Sequence, residues 1–292
     1  MIALRLVYDL ALEPTSRLPK RVARWLMSWA GTRRLERQED RILHSLAHAI
    51  KASLLRKASN EEAVWVRRIE GLRKELEAST ELIPITHYGV GTPGSQSDQG
   101  QTTMTRLGEN CRRTSKEPRW AFLLFKMVRE LEPEVCLELG TSFGISAAYQ
   151  AAALELNGRG RIVTLEGAES KADIARANFV RLGLGRISVT TGRFQDTLDG
   201  VLRGLERVDF AFIDGHHDEQ ATLRYFEQIT PFLSRRAVVV IDDTSWSMGM
   251  RRVWQALEAD DRVKSSVDLR YMGICVMGRE SSLKRKFRIP LG

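Results

Sequence analysis

The strongest constraint on this chain is an alternation of short apolar runs and helix-like segments through its second half. VCLEL (135–139), RIVTLE (161–166), ISVTT (187–191), VDFAFID (208–214) and AVVVIDD (237–243) have the length and β-branched content of buried strands. Segments near 144–156, 169–182, 194–204 and 218–233 separate them and read as helices. Strands that are apolar throughout and alternate with helices predict a parallel sheet covered on both faces. A further helix near 249–259 precedes two strand candidates, 263–269 and 271–277. The gap between those two is too short for a crossover helix, so they must run antiparallel. The expected architecture is α/β: a doubly wound sheet of five parallel strands with a C-terminal antiparallel hairpin.

The flanks read differently. Residues 1–80 form a helical N-terminal arm, with stripes Val22, Trp25, Leu26, Trp29, then Leu35, Ile42, Leu46, Ile50, then Trp65, Ile69, Leu72, Leu76. Residues 81–118 form a loop-rich lead-in, and GVGTPGSQSDQG (89–100) marks the natural boundary behind the arm. A helix is expected over Pro118–Leu131, where proline suits the first turn. The sheet domain runs 119–278 and a basic tail 279–292.

Charge follows the same division. The chain of 292 residues carries 45 Lys and Arg against 37 Asp and Glu, a formal +8. Residues 1–80 hold 16 basic and 10 acidic residues, 279–292 hold 5 and 1, and the middle holds 24 and 26. The positive charge therefore belongs to the ends, and no specific nucleic-acid partner is expected for the sheet domain. The ends suit peripheral contact with a membrane surface or an acidic partner, or simply keep the chain soluble, and the striped arm suits a homodimer contact.

No apolar run approaches the roughly 20 residues of a membrane span. MIALRLVYDLALEP is interrupted by Arg5 and Asp9, unlike a signal peptide. Cys111, Cys136 and Cys275 are scattered and odd in number, which predicts buried free thiols and a cytoplasmic setting. His44 and His48 share a helix face but have no third ligand nearby.

Chemistry gathers where the strands end. The first strand runs into LELGTSFGIS, placing Gly140 and Gly144 at a strand-to-helix turn where a ligand can approach the backbone. Their spacing differs from the G-x-G-x-x-G of a nicotinamide-binding unit. Glu138 is a carboxylate inside an apolar strand and needs a partner. Glu166, followed by Gly167, ends the second strand where a carboxylate accepts hydrogen bonds from ribose hydroxyls. GRFQD (192–196), Asp214-Gly215-His216-His217 and Asp242-Asp243 follow the next three strands. Open parallel sheets bind ligands at this edge.

ELGTSFG, LEGAES, GRFQD, FIDGHH and VIDDTSW, in this order and spacing, resemble the class I S-adenosylmethionine-dependent methyltransferases. The FIDGHH…DD pattern is similar to the small-molecule O-methyltransferases of the catechol and sugar-tailoring type. The resemblance covers roughly 119–278 and implies a Rossmann-like sheet. It implies that Glu138 lies beneath the donor near its methionine amine, that Gly140, Thr141, Ser142 and Gly144 form the loop around the methionine, and that Ser146 reaches its carboxylate. Glu166 with Gly167 would hold the ribose, and Phe194 and Gln195 the adenine. Asp214, beside the donor, would join Asp242 and Asp243 in holding Mg2+ or a similar divalent cation, which wants an octahedral set of oxygens. The Asp-Asp pair also reads as a cap and turn after a strand.

His216 and His217 are the general-base candidates, because imidazole titrates near neutral pH. Catechol-type members carry lysine at the position of His217, and some sugar-tailoring members a carboxylate at that of His216, so the base is open between them. Trp246 suits a wall of the acceptor pocket. The implied activity is metal-assisted methyl transfer to a hydroxyl of a small metabolite or sugar. A non-catalytic binding or scaffold module is the main alternative, and a nicotinamide-dependent oxidoreductase a weaker one.

Overall fold

The computed structural model describes residues 20–88, 100–278 and 284–291. Its first helices are α1 (Lys20–Glu36), α2 (Arg41–Leu54) and α3 (Asn60–Ala78). Asp40 caps α2 by accepting from the Ile42 and Leu43 amides at 2.9 and 3.3 Å. Ser59 and Glu62 form a capping box on α3: the Glu62 amide donates to Ser59 Oγ and the Ser59 amide to Glu62 Oε2. The same Glu62 is buried and accepts from Lys126 Nζ at 2.9 Å, pinning the arm to the domain behind it.

A two-stranded antiparallel ribbon, β1 (Leu82–His87) and β2 (Gln101–Arg106), then leads into α4 (Leu107–Thr114) and α5 (Pro118–Leu131). The lead-in expected to be mostly loop thus holds a ribbon and a helix. Of the loop 89–100, only Gly100 lies within the described residues.

The alternating region follows the expected pattern: β3 (Val135–Leu139), α6 (Ile145–Asn157), β4 (Arg161–Glu166), α7 (Glu169–Leu182), β5 (Ile187–Thr191), α8 (Phe194–Leu205) and β6 (Val208–Ile213). It continues through α9 (Glu219–Ile229), a 3-10 turn, β7 (Leu233–Ile241), α10 (Met248–Ala259), β8 (Val263–Asp268) and β9 (Gly273–Met277). The main sheet is ordered β10–β8–β9–β7–β6–β3–β4–β5. Strands β5, β4, β3, β6 and β7 are parallel, whereas β9 runs antiparallel between β7 and β8. The Rossmann-like sheet with its antiparallel hairpin is present as expected.

One element corrects the sequence reading. The basic tail supplies an eighth strand, β10 (Arg285–Arg288), parallel to β8, with Phe287 buried beneath it. Helix α1 packs there: Ser28 Oγ donates to the Pro290 carbonyl at 2.8 Å, and a Cβ on Gly31 would stand 2.8 Å from the Arg288 carbonyl oxygen. Its tryptophan stripe does not face the core, since Val22 and Trp25 are 42% and 48% exposed. Small side chains let α1 approach the tail closely, and that contact decides which face turns inward.

The remaining arm stripes are consumed within the chain. Leu43, Leu46 and Ile50 of α2, and Ile69 and Leu72 of α3, share one core with Leu123, Leu124 and Met127 of α5 and with the β3 face bearing Cys136. The opposite face of the sheet packs under α8, α9 and α10. Cys111, Cys136 and Cys275 are free and buried. No helix among the described residues is long and apolar enough to cross a membrane.

Candidate active site

From β3 the chain proceeds to β4 and β5 on one side of the sheet, and later to β6 and β7 on the other. This reversal opens a crevice at the carboxyl ends of β3 and β6, where α/β sheets bind ligands. A cavity of about 910 Å³ fills it. Its walls come from the strand ends, from residues 85–88 and 110–120, and from Arg24 of α1.

The glycine loop after β3 is held by close packing. Gly140 has φ +109°, and a Cβ there would run into the Asp214 carbonyl oxygen, so only glycine lets β3 and β6 approach this closely. Gly144 begins α6 at φ +86° and packs against Phe179, outside the cavity wall. The Ser142 amide donates to Glu166 Oε2 at 2.7 Å and the Ala168 amide to Oε1 at 3.0 Å. These bonds aim Glu166 into the cavity, and each carboxylate oxygen retains acceptor capacity for a ligand hydroxyl. Ser146 and Thr141 line the wall.

Glu138 is fully buried behind this loop. It accepts from Thr164 Oγ1 at 2.6 Å and Gln150 Nε2 at 2.9 Å, which supplies the partners its position demands. Burial pushes its carboxyl up to about 7, even though the bonds from Thr164, Ser146 and Gln150 pull it down. It supports the floor and does not line the cavity.

The far wall is aromatic. Phe194 stands edge-on to His216 and Tyr225, with ring centroids 6.0 and 5.6 Å away, and Tyr225 Oη lies 2.7 Å from His216 Nδ1. Gln195 is exposed in the first turn of α8 and does not line the cavity, whereas Arg193 and Phe194 do. Tyr88 covers Gly167 from the β1 side, within 2.8 Å of where a Cβ on that glycine would stand.

The two histidines have different surroundings. His216 is engaged by Tyr225 in the aromatic wall. His217 lies between two carboxylates, with Nε2 3.7 Å from Asp214 Oδ1 and Nδ1 3.8 Å from Asp243 Oδ2. Trp246, 55% exposed, packs beside its ring and lines the cavity. Ser142, His216, His217 and Asp243 all have positive φ, from +44° to +67°. Left-handed backbone in non-glycine residues is strained, and its concentration here marks a functional edge.

Sequence reading missed several groups. Asn110 is 1% exposed and lines the cavity, and its Nδ2 has no hydrogen-bond partner among the described residues. Lys171 also lines the cavity, and burial holds its amine below the ordinary lysine range. Lys116 reaches from the turn between α4 and α5 to Asp214 Oδ2 at 3.3 Å and also contacts Asp242 Oδ2. None of these positions belongs to a motif, and a lone lysine or asparagine in a polar stretch carries no spacing signal.

The residues present suit S-adenosylmethionine: Glu166 can accept from hydroxyls, the aromatic wall offers apolar surface to a base, and the orphaned Asn110 amide can donate to a carboxylate. A divalent cation does not fit as well. Asp214, Asp242 and Asp243 converge, but the Lys116 ammonium lies between the first two, and no group of three His, Cys, Asp or Glu side chains among the described residues is arranged to hold a metal. Burial and the neighbouring Asp214 carboxylate push Asp242 up to about 7, against the pull of Lys116.

Residues 137–244, which span β3 through the end of β7, match the family model described as a methyltransferase domain. A catechol O-methyltransferase of Mycobacterium tuberculosis is 34% identical over 108 residues, 37% of this chain and 46% of that protein. The match thus spans less than half the length of that relative. An O-methyltransferase of Bacillus cereus, solved in complex with SAH, is 30% identical, covering 56% of this chain and 83% of that one, at a TM-score of 0.49.

Residues 137–244 are a methyltransferase domain.

An SAH-bound methyltransferase of Podospora anserina shares the fold at a TM-score of 0.51 and 16% identity, covering 77% of this chain and 98% of that one. The matched segment carries most of the strand-end residues, whereas Arg24, Tyr88, Asn110 and Lys116 come from outside it.

Proposed function

We propose that this methyltransferase moves the methyl group of S-adenosylmethionine to a hydroxyl oxygen of a small metabolite or sugar. One observation carries this reading: a single cavity joins the Glu166 and glycine-loop wall, suited to the donor, to the Asp214, His217 and Asp243 cluster, suited to a hydroxyl. Its volume of about 910 Å³ is the size of a small-molecule site, not of a surface for a folded partner.

The sulfonium supplies an activated methyl group when bound. Glu166 orients the ribose, and Phe194, His216 and Tyr88 exclude water around the nucleoside. Asn110 meets the methionine carboxylate. His217 accepts the acceptor's proton, and the carboxylates of Asp214 and Asp243 favour the imidazolium that results. Holding the two reactants in line accounts for much of the acceleration expected of such a site. No step requires a divalent ion.

Isothermal titration with S-adenosylmethionine tests the reading. Binding in the wild type and a loss of at least about tenfold in Glu166→Ala are expected, since a hydrogen bond to a charged group contributes about 1.5–3 kcal/mol. Transfer of tritium from methyl-labelled donor to hydroxylated small molecules is the second measurement. Absence of donor binding removes the proposal and leaves a scaffold role.

A further inference from the structure

The carboxylate cluster to which the family resemblance assigned a divalent ion already holds a cation of the chain's own. Lys116 Nζ lies 3.3 Å from Asp214 Oδ2 and contacts Asp242 Oδ2, with the lysine side chain 13% exposed. This is not a surface lysine that happens to swing inward. Its carbonyl oxygen accepts from Arg73 Nη2 at 2.7 Å. Arg73 is itself buried and held by Glu70 Oε1 at 3.0 Å, an oxygen that also accepts from Tyr149 Oη at 2.9 Å. Two residues later Pro118 opens α5. The arm, α6 and α5 thus fix the backbone from which Lys116 projects.

An ammonium has no lone pair, so it cannot be a metal ligand, and a divalent ion beside it would meet a like charge. The two cations compete for one place. We propose that the Lys116 ammonium replaces the divalent ion in this enzyme and that the acceptor is therefore held through a single hydroxyl oxygen and needs no vicinal diol. A metal with two open positions grips two neighbouring oxygens, which suits a diol. Lys116 donates to Asp242 and forms an ion pair with Asp214, and a remaining N–H can serve one acceptor oxygen but cannot chelate two as a metal does.

The step follows from that arrangement. The acceptor O–H donates its proton to His217 while the Lys116 N–H steadies the developing negative charge on oxygen. The oxygen lone pair forms the new O–C bond to the methyl group as the C–S bond breaks and its electron pair returns to sulfur. S-Adenosylhomocysteine, the methyl ether and protonated His217 are the products. Lys116 keeps its proton throughout.

This inference rests on the methyl-transfer reading, and Mn2+ binding tests it independently of any acceptor. The full-length protein, saturated with S-adenosylhomocysteine, is titrated with Mn2+ and free ion is followed by electron paramagnetic resonance. The wild type should show no stoichiometric site below millimolar Mn2+. Lys116→Met should vacate the carboxylates and bind one Mn2+ at least tenfold more tightly, and adding Asp242→Asn should abolish that gain. Micromolar, stoichiometric binding by the wild type overturns the inference, whether or not the variants fold.

Failure to bind S-adenosylhomocysteine in the same samples removes the methyl-transfer reading instead. In the labelled-donor assay, transfer to monohydroxyl acceptors that persists in EDTA supports the inference. Transfer confined to vicinal diols and abolished by EDTA overturns it.

Discussion

At the scale of single residues, the site is a set of charges whose partners determine their behaviour. His216 and His217 are adjacent in sequence, yet one is tied to Tyr225 and the other faces two carboxylates. His217→Ala should lower kcat by about 10²–10⁴-fold, the usual contribution of a general base. His216→Ala should chiefly raise KM for the donor, and steady-state kinetics of both variants separates the roles. Glu138 gives a pH signature. Its folded-state carboxyl sits at about 7, above the ordinary value of 4.5, so the folded protein binds the extra proton between these values. Stability of the ligand-free protein should therefore fall as pH rises from about 4.5 to 7, by up to about 3 kcal/mol from this group. Asp242, pushed up to about 7, acts in the same direction. Thermal melts of wild type and Glu138→Gln check this: the variant should show the shallower slope.

At the scale of elements, the sequence located the strands and helices of the alternating region closely. VCLEL, RIVTLE and ISVTT coincide with β3, β4 and β5, and the helices over 118–131 and 169–182 match α5 and α7. Each of these carries its own signal, an apolar run or a stripe bounded by glycine, proline or a polar turn. The ribbon β1–β2 and the strand β10 were not legible. LIPITH contains a proline, QTTMTR is largely polar, and RKFR buries only Phe287. Such strands are defined by the neighbours they pair with, and β10 finds its neighbour in β8, distant from the tail's local pattern. The glycine loop depends on element packing too. Gly140→Ala would place a methyl group against the Asp214 carbonyl at a φ of +109°. It should cost at least about 2 kcal/mol and weaken donor binding, read by denaturant melts and titration calorimetry.

At the scale of the whole molecule, the helical arm and the sheet domain share a core. Leu43, Leu46 and Ile50 cover Leu123, Leu124 and Met127, and Glu62 neutralises the buried Lys126. Glu62→Ala should destabilise the protein by about 3–5 kcal/mol, because it leaves a buried ammonium unpaired; chemical denaturation measures the loss. The arm also reaches the site, through Arg24 at the cavity and through the Arg73 bond that positions Lys116. The net charge of +8, which alone suggests a polyanion binder, instead belongs to these flanks, whereas the stretch between them holds slightly more acidic than basic residues. Sequence by itself determined the parallel sheet, the resemblance to a methyltransferase domain and the placement of Glu166, Asp214, His217, Asp242 and Asp243 at strand ends, because each lies in a local pattern of apolar run, turn and polar terminus. Only the tertiary structure decided that the arm shares the core, that the tail joins the sheet, and that Lys116 stands among the aspartates. Those facts depend on groups 98 and 126 residues apart in the chain meeting in space, as Lys116 meets Asp214 and Asp242, and no local spacing encodes such a meeting.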